Sequence, residues 1–84
     1  MVRVKLFGLL RLDSGISELE LEADRVRDIY PQLLAELRRR SPECSLGMKE
    51  LKACIISVND KRVSAAARLE PGDIVYLLPQ VAGG

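Results

Sequence analysis

Residues Val2–Gly8, with the sequence VRVKLFG, decide the fold because apolar side chains recur at every second position from Val2 to Leu6. This period is typical of a half-buried β-strand. A second alternating segment, Ser17–Ala23, places leucine and alanine on one face and glutamate on the other. Because the turn-forming residues Asp13-Ser14-Gly15 stand between the two segments, we predict an antiparallel hairpin.

Residues Val26–Arg40 change to a spacing of three or four residues between apolar side chains, which predicts an amphipathic helix. Pro31 restricts its start, because proline lacks an amide hydrogen and is tolerated only in the first turn. We expect either a regular helix that begins near Asp28, with Asp28 as a candidate cap, or a kinked first turn. The arginines at 38–40 would complement the helix dipole, which we favour over a nucleic-acid patch.

The rest of the chain predicts short strands. We expect a surface loop at Ser41–Glu50, strands at Ala53–Val58, 62–63 and Ile74–Pro79, and a turn at 70–73. The resulting order, β-β-α-β-β-β, predicts an α+β fold of the ubiquitin-like β-grasp type. Its mixed sheet would pair the first and last strands in parallel at the centre, with one main helix across one face. We expect residues 1–84 to form a single domain with a flexible Gly-Gly tail from about residue 79.

The composition limits the classes of function. With 13 basic and 12 acidic residues, the formal net charge is +1, which gives no general attraction to nucleic acid or lipid headgroups. No segment approaches the ~20 apolar residues of a membrane span, and the first residues lack the apolar core of a signal peptide. We therefore expect a cytoplasmic protein that binds neither nucleic acid nor membrane.

Two cysteines and no histidine restrict the chemistry of the chain. Cys44 and Cys54 are too few for a disulfide framework and cannot complete an ordinary four-ligand zinc site. We expect reduced thiols, with Cys54 in the core and Cys44 in an accessible loop. No catalytic pair with histidine is available and no nucleotide-binding glycine motif occurs. The chain is therefore expected to bind no metal and no cofactor, and any nucleotide would be held by a partner.

The pleat of the last strand predicts an exposed apolar patch. If Val75 and Leu77 face the helix, then Tyr76 and Leu78 face away from it. We expect the patch to contain Phe7, Ile55, Tyr76 and Leu78, with Arg3 and Lys5 as a positive rim that favours an acidic partner surface. A contiguous apolar surface of this kind usually marks a docking site, although small proteins also expose apolar atoms without such a role.

The chain ends with the sequence Gln80-Val81-Ala82-Gly83-Gly84. Glycine has no Cβ, so a Gly-Gly end can pass through a narrow channel in another protein. Val81 and Ala82 would lie against the channel walls, and a bulkier residue at Gly83 would obstruct the passage. The carboxylate of Gly84 can be chemically activated, which makes it the expected reactive group.

Several segments together resemble the MoaD/ThiS sulfur carriers, most of all the molybdopterin synthase branch of that family. They are the strand Val2–Phe7, the helix start Val26–Ile29, the pair Val58-Asn59, and the segments Leu69–Val75 and Pro79–Gly84. The resemblance implies that Gly84 is adenylated by an E1-like adenylyltransferase that uses ATP. A persulfide donor then converts it to a thiocarboxylate, which supplies sulfur to cyclic pyranopterin monophosphate in molybdenum cofactor biosynthesis. The implied partner is the molybdopterin synthase large subunit, in a heterotetramer with two copies of each chain. This chain would donate sulfur within that sulfurtransferase without being catalytic alone.

Three other functions remain open at this point. A thiamine carrier would deliver its sulfur to a thiazole precursor, and a ubiquitin-like modifier would join Gly84 to lysines of other proteins. A purely structural interaction module would not need the two terminal glycines. The sulfur acceptor and the sulfur donor are not identified by the sequence.

Overall fold

A mixed sheet of five strands is the centre of the fold. The structure is a computed structural model and describes residues 1–79. The strands are β1 (Val2–Leu6), β2 (Glu18–Leu21), β3 (Ile55–Val58), β4 (Lys61–Val63) and β5 (Ile74–Leu78). Their spatial order is β2-β1-β5-β3-β4, with β1 and β5 parallel and the other neighbours antiparallel. This topology confirms the predicted β-grasp and its central parallel pair.

Within residues 1–79, three α-helices connect the strands: α1 (Gly8–Ser14), α2 (Ile29–Arg40) and α3 (Met48–Lys52). The main helix α2 buries its apolar stripe, including Ile29, Leu33 and Leu37, none of which exposes any surface. Val4 and Val75, on the two central strands, are buried to the same extent. The core therefore lies between α2 and one face of the sheet, as the two sequence periods predict.

The predicted direct hairpin between β1 and β2 is wrong in its connection, because α1 separates the two strands. Leu10 is buried, and Gly15 ends the helix at φ 72° with its N–H donating to the carbonyl of Arg11 at 2.9 Å. The predicted turn residues therefore include the C-terminal cap of a helix, since glycine accepts a left-handed conformation at this position. The two strands still pair antiparallel.

The segment Ser41–Glu50 is also more ordered than the predicted loop, because α3 begins inside it at Met48. The N–H of Gly47 donates to the Glu50 carboxylate at 2.8 Å, and Leu51 is fully buried. These contacts hold the short helix, whose last turn extends into the chain before β3. As a result, β3 begins at Ile55, two residues later than predicted.

The start of α2 follows the first of the two alternatives, with Ile29 as the first residue and Pro31 in the first turn. Asp28 does not cap α2 with its side chain. Its carboxylate instead accepts the N–H of Arg25 at 3.0 Å and closes a 3-10 turn at Val26–Asp28. The proline thus stands where its missing N–H costs no helical hydrogen bond.

The arginines at the end of α2 have local partners. Arg39 and Arg40 bind the Glu36 carboxylate at 2.8 and 2.9 Å, and Arg38 donates to the carbonyl of Cys44 at 2.8 Å. These contacts agree with the structural interpretation of the three arginines.

Asp73 ties the start of β5 to two other parts of the sheet. Its carboxylate accepts the backbone N–H of Glu70 at 2.8 Å and the side-chain amide of Asn59 at 3.0 Å. Its carbonyl accepts the N–H of Arg3 at 2.9 Å. The hydrogen bond from Glu70, followed by that from Asn59, lowers the pKa of Asp73 because both stabilise the charged form.

We expect Asp73→Asn to reduce the acid sensitivity of the fold. Since the pKa of Asp73 is lowered in the folded state, its stabilisation is complete above the unfolded pKa and is lost as the pH falls through the folded pKa. The free energy of unfolding of the variant should therefore fall less between about pH 5 and pH 2, the range in which carboxylates become protonated. Urea denaturation of both proteins measures this difference, and an equal loss would contradict the role of Asp73.

We expect Leu33→Ala to destabilise the protein by about 2–5 kcal/mol, because it leaves a cavity between α2 and the sheet. Leu12, on α1, is 76% exposed. Leu12→Ala removes the same atoms and should change the free energy of unfolding by less than about 0.5 kcal/mol. Urea denaturation compares the pair, and similar losses in both variants would be inconsistent with this core.

Candidate functional site

The face of the sheet that α2 does not cover carries the residues predicted for docking. The strand register places Tyr76 opposite Lys5 and Ser57, and Leu78 opposite Ile55. Side chains that stand opposite each other on paired strands project from the same face. Tyr76 and Leu78 are two residues apart on β5, so both pairs share this side of the sheet.

We define the docking face as Phe7, Ile55, Tyr76 and Leu78. The rings of Phe7 and Tyr76 pack with their centroids 5.7 Å apart. The N–H of Phe7 donates to the carbonyl of Leu77 at 3.2 Å, which continues the pairing of β1 with β5 by one residue. Leu78 is 36% exposed, and the other three are partly buried. The structure therefore brings these residues together on one open surface, and their role in docking stays a prediction.

The positive rim differs from the expectation at Arg3. Its guanidinium lies 3.0 Å from the Glu18 carboxylate and 3.5 Å from that of Glu20. Both carboxylates belong to the edge strand β2, so the charge of Arg3 is compensated within the sheet. Lys5 instead places its Nζ 5.9 Å from the centre of the Tyr76 ring, within range of a cation–π contact. Of the two rim residues, Lys5 is therefore the one whose charge we expect to attract an acidic partner surface.

Two exposed leucines on α1 were not identified from the sequence. Leu9 and Leu12 lie on α1, directly after Phe7, and expose 64% and 76% of their surface. The capping glycine, Gly15, is the one feature of the sequence that could have indicated this helix. The helix begins at Gly8.

The predicted tail residues Val81, Ala82, Gly83 and Gly84 lie outside the described residues. Pro79, partly buried, is the last residue that the structure describes, directly after β5. Since this strand also carries Tyr76 and Leu78, the last described residue comes directly after the docking face.

The two cysteines differ in their surroundings. Cys54 is only 9% exposed, which confirms the predicted core position, and burial raises the pKa of its thiol. Its Sγ contacts the carbonyl of Glu50 at 3.3 Å. Cys44 is partly buried and packs against the core, so it is less accessible than expected.

Residues 1–79 contain no group of three or more histidine, cysteine or acidic side chains arranged to hold a metal ion. Over the same residues, no helix combines the length and apolar character that a membrane crossing needs.

Comparisons with known proteins place this chain in a family. The model of the ThiS family matches residues 4–84. A Pyrococcus furiosus protein assigned provisionally as molybdopterin converting factor, subunit 1, is 32% identical, with a TM-score of 0.60 over 95% of this chain and 97% of that one. No curated protein sequence matches this chain.

Two further solved structures come from other systems. A chain of the Amycolatopsis orientalis BexX/CysO complex is 26% identical, with a TM-score of 0.70 and all of both chains covered. Small archaeal modifier protein 1 from Methanosarcina acetivorans is 27% identical, with a TM-score of 0.68 over 99% of this chain and 95% of that one. Because the family model spans nearly all of the sequence, the chain belongs to the ThiS family and is a β-grasp sulfur carrier of the MoaD/ThiS type.

Proposed function

We propose that this chain is the sulfur-carrying small subunit of a molybdopterin synthase. The observation that carries the proposal is the 32% identity, over 95% of the chain, to the Pyrococcus furiosus protein assigned provisionally as molybdopterin converting factor, subunit 1. The family match extends to residue 84 and so includes both glycines of the tail. The acceptor of the sulfur is cyclic pyranopterin monophosphate, and two loaded carriers supply the two dithiolene sulfurs.

Sulfur is loaded at the Gly84 carboxylate in two stages. The carboxylate attacks the α-phosphate of ATP and forms an acyl-adenylate with release of pyrophosphate, which converts a poor leaving oxygen into a good one. The terminal sulfur of a persulfide donor then attacks the acyl carbon and expels AMP. A second thiol reduces the S–S bond of the resulting acyl disulfide, and the carrier keeps a thiocarboxylate.

Sulfur transfer regenerates the carrier. The thiocarboxylate sulfur attacks a carbon of the acceptor and displaces the oxygen substituent on that carbon, which leaves with a proton. Hydrolysis of the resulting thioester by water then leaves the sulfur on the acceptor and a carboxylate on Gly84. The large subunit provides the pocket and the acid–base groups for these steps. The carrier binds no cofactor, since ATP is held by the E1-like activating enzyme. Because loading requires ATP and a persulfide donor, the protein acts in the cytoplasm.

Contacts at the docking face hold the carrier on its partner while the tail enters the channel. Ordering a flexible tail inside a channel costs ~1–2 kcal/mol per residue. Contacts of Tyr76, Leu78 and their neighbours with the partner offset this cost, because aromatic anchors often dominate interface energies. The related CysO chain was solved in a complex with BexX, which supports a protein partner for this chain too. The complete assembly is a heterotetramer with two copies of each subunit.

A ubiquitin-like modifier is the second candidate. The likeness to small archaeal modifier protein 1 from Methanosarcina acetivorans favours it, since 27% identity extends over 99% of this chain. In that case the activated carboxyl of Gly84 is attacked by a lysine amine of another protein and forms an amide. A thiazole sulfur carrier shares the loading chemistry and differs only in its acceptor.

Intact mass spectrometry after incubation with ATP, the activating enzyme and a persulfide donor tests the function. We expect the wild-type chain to gain the mass difference between sulfur and oxygen, because the thiocarboxylate replaces the carboxylate. Deletion of Gly84, or one alanine added after it, should abolish this gain. One alanine added before Met1 is the matched control and should load normally.

The acceptor is identified by the products. Addition of the large subunit and cyclic pyranopterin monophosphate should consume the thiocarboxylate and form molybdopterin. Transfer only to a thiazole precursor, or accumulation of lysine conjugates without molybdopterin, would overturn the proposal in favour of the other two functions. Loading of the chain extended after Gly84, with the extra alanine retained, would contradict all three.

We expect the double substitution Tyr76→Ala and Leu78→Ala to weaken binding to the large subunit by at least about tenfold, as for residues at the centre of an interface. Both side chains lie on the open face, so the fold should be retained. Pro31→Ala, at an exposed apolar position on the helical layer, is the control and should bind normally. Isothermal titration calorimetry measures both affinities, and equal affinity of the two variants would exclude this docking face.

A further inference from the structure

Gly8, at the start of α1, lies directly against the ring of Pro79, the residue that follows β5. A Cβ placed on Gly8 would stand 2.7 Å from Cγ of the proline and 3.3 Å from its Cδ. The first distance is shorter than any ordinary contact between carbon atoms. Any side chain at position 8 would therefore displace the proline.

The position of Pro79 is also restricted by the backbone that precedes it. Leu77 is fully buried, and its carbonyl accepts the N–H of Phe7, so the backbone is held two residues before the proline. The pyrrolidine ring has no rotatable side-chain torsion that would let it swing away from a new Cβ.

The contact coincides with the end of the strand pairing. Proline has no N–H to donate, so it cannot continue the ladder between β5 and its neighbours. Pro79 is thus the last point at which the described chain is held by packing. Residues 80–84 are covalently attached to this point, and any displacement of Pro79 displaces their origin.

We propose that Gly8 is a positioning residue for sulfur loading: the lack of a side chain at Gly8 seats Pro79 against α1 and so sets the point from which the tail enters the activating enzyme. The inference rests on the proposed function, in which Gly84 reacts inside a partner protein. Gly8 and Pro79 adjoin the docking face but do not belong to it, so we expect the position of Pro79 to affect the reaction of the bound carrier more than its binding.

The expected effect is large enough to measure. Gly8→Ala must enlarge the separation from Pro79 by roughly 0.7 Å to reach ordinary contact, and misplacement by 1 Å can cost about a hundredfold in rate. We therefore expect kcat for adenylation of Gly84 to fall about tenfold, with KM for the carrier changed less than about twofold. Pyrophosphate release by the activating enzyme, at varied carrier concentration, gives both constants.

Two other glycines provide matched controls. Gly8 has φ +60°, so alanine there also introduces backbone strain. Gly15 and Gly72 have φ +72° and +88°, and a Cβ on either meets nothing within 4 Å. Gly15→Ala and Gly72→Ala carry the same kind of strain without touching Pro79, and both should keep the wild-type kcat. A comparable loss of kcat in these controls would overturn the role of Gly8.

A double-mutant cycle with Pro79→Ala separates the contact from other effects. This substitution removes Cγ and Cδ, the two atoms that a Cβ on Gly8 would meet. We expect Pro79→Ala alone to lower kcat, because the contact that positions the end of β5 is lost. Adding Gly8→Ala to this variant should not lower kcat further. An equal cost of Gly8→Ala in both backgrounds would contradict the inference.

If Gly8→Ala does not fold, Pro79→Ala alone tests the inference. A wild-type kcat in Pro79→Ala would overturn it. If the wild-type chain itself releases no pyrophosphate, the proposed function fails. If the wild type reacts and Gly8→Ala matches Gly15→Ala, only the positioning role fails.

Discussion

The parallel pairing of β1 with β5 is the constraint on which the rest of the structure depends. It runs from Arg3 opposite Ile74 to Leu6 opposite Leu77 and joins the two ends of the described chain. Closing so long a loop is entropically costly, and burial of Val4 and Val75 beneath α2 offsets that cost. The same pairing places Phe7 beside Tyr76 and Gly8 beside Pro79. The pairing of β1 with β5 therefore positions both the docking face and Pro79, the last described residue before the tail.

The two faces of the sheet differ in burial. One face is sealed by α2 and gives the domain its stability, while the other keeps partly exposed aromatic and aliphatic side chains. In the proposed function, this open face is the surface by which a partner holds the carrier, and a second helical layer over it would remove that surface. A domain of this size has little interior to spare, which agrees with the proposal that partners supply the chemistry.

The sequence predicts the fold well where one face of an element is buried. Alternation in Val2–Gly8 and the helical spacing in Val26–Arg40 report burial directly, so the sheet and α2 are found where expected. The helix α1 is missed because its seven residues give little periodic signal and Gly15 serves both turns and helix ends. α3 is missed because it has only five residues, with Leu51 as its buried contact.

The candidate site is only partly predictable for a related reason. The pleat decides that Tyr76 and Leu78 face outward, and this follows from the strand alone. The pairing of Arg3 with Glu18 and Glu20 depends on the register of β2, which the period of two does not fix. The contact between Gly8 and Pro79 joins residues from opposite ends of the chain, so no local sequence pattern predicts it.

Sulfur transfer by this chain is tested most sharply in a single turnover. The carrier is loaded with radiolabelled sulfur, isolated from the donor, and mixed with the large subunit and cyclic pyranopterin monophosphate. We expect the label to leave Gly84 and to appear in the dithiolene of molybdopterin at the rate at which the carboxylate is regenerated. Molybdopterin formed without label, while the label stays on the chain, would contradict the proposed role of Gly84.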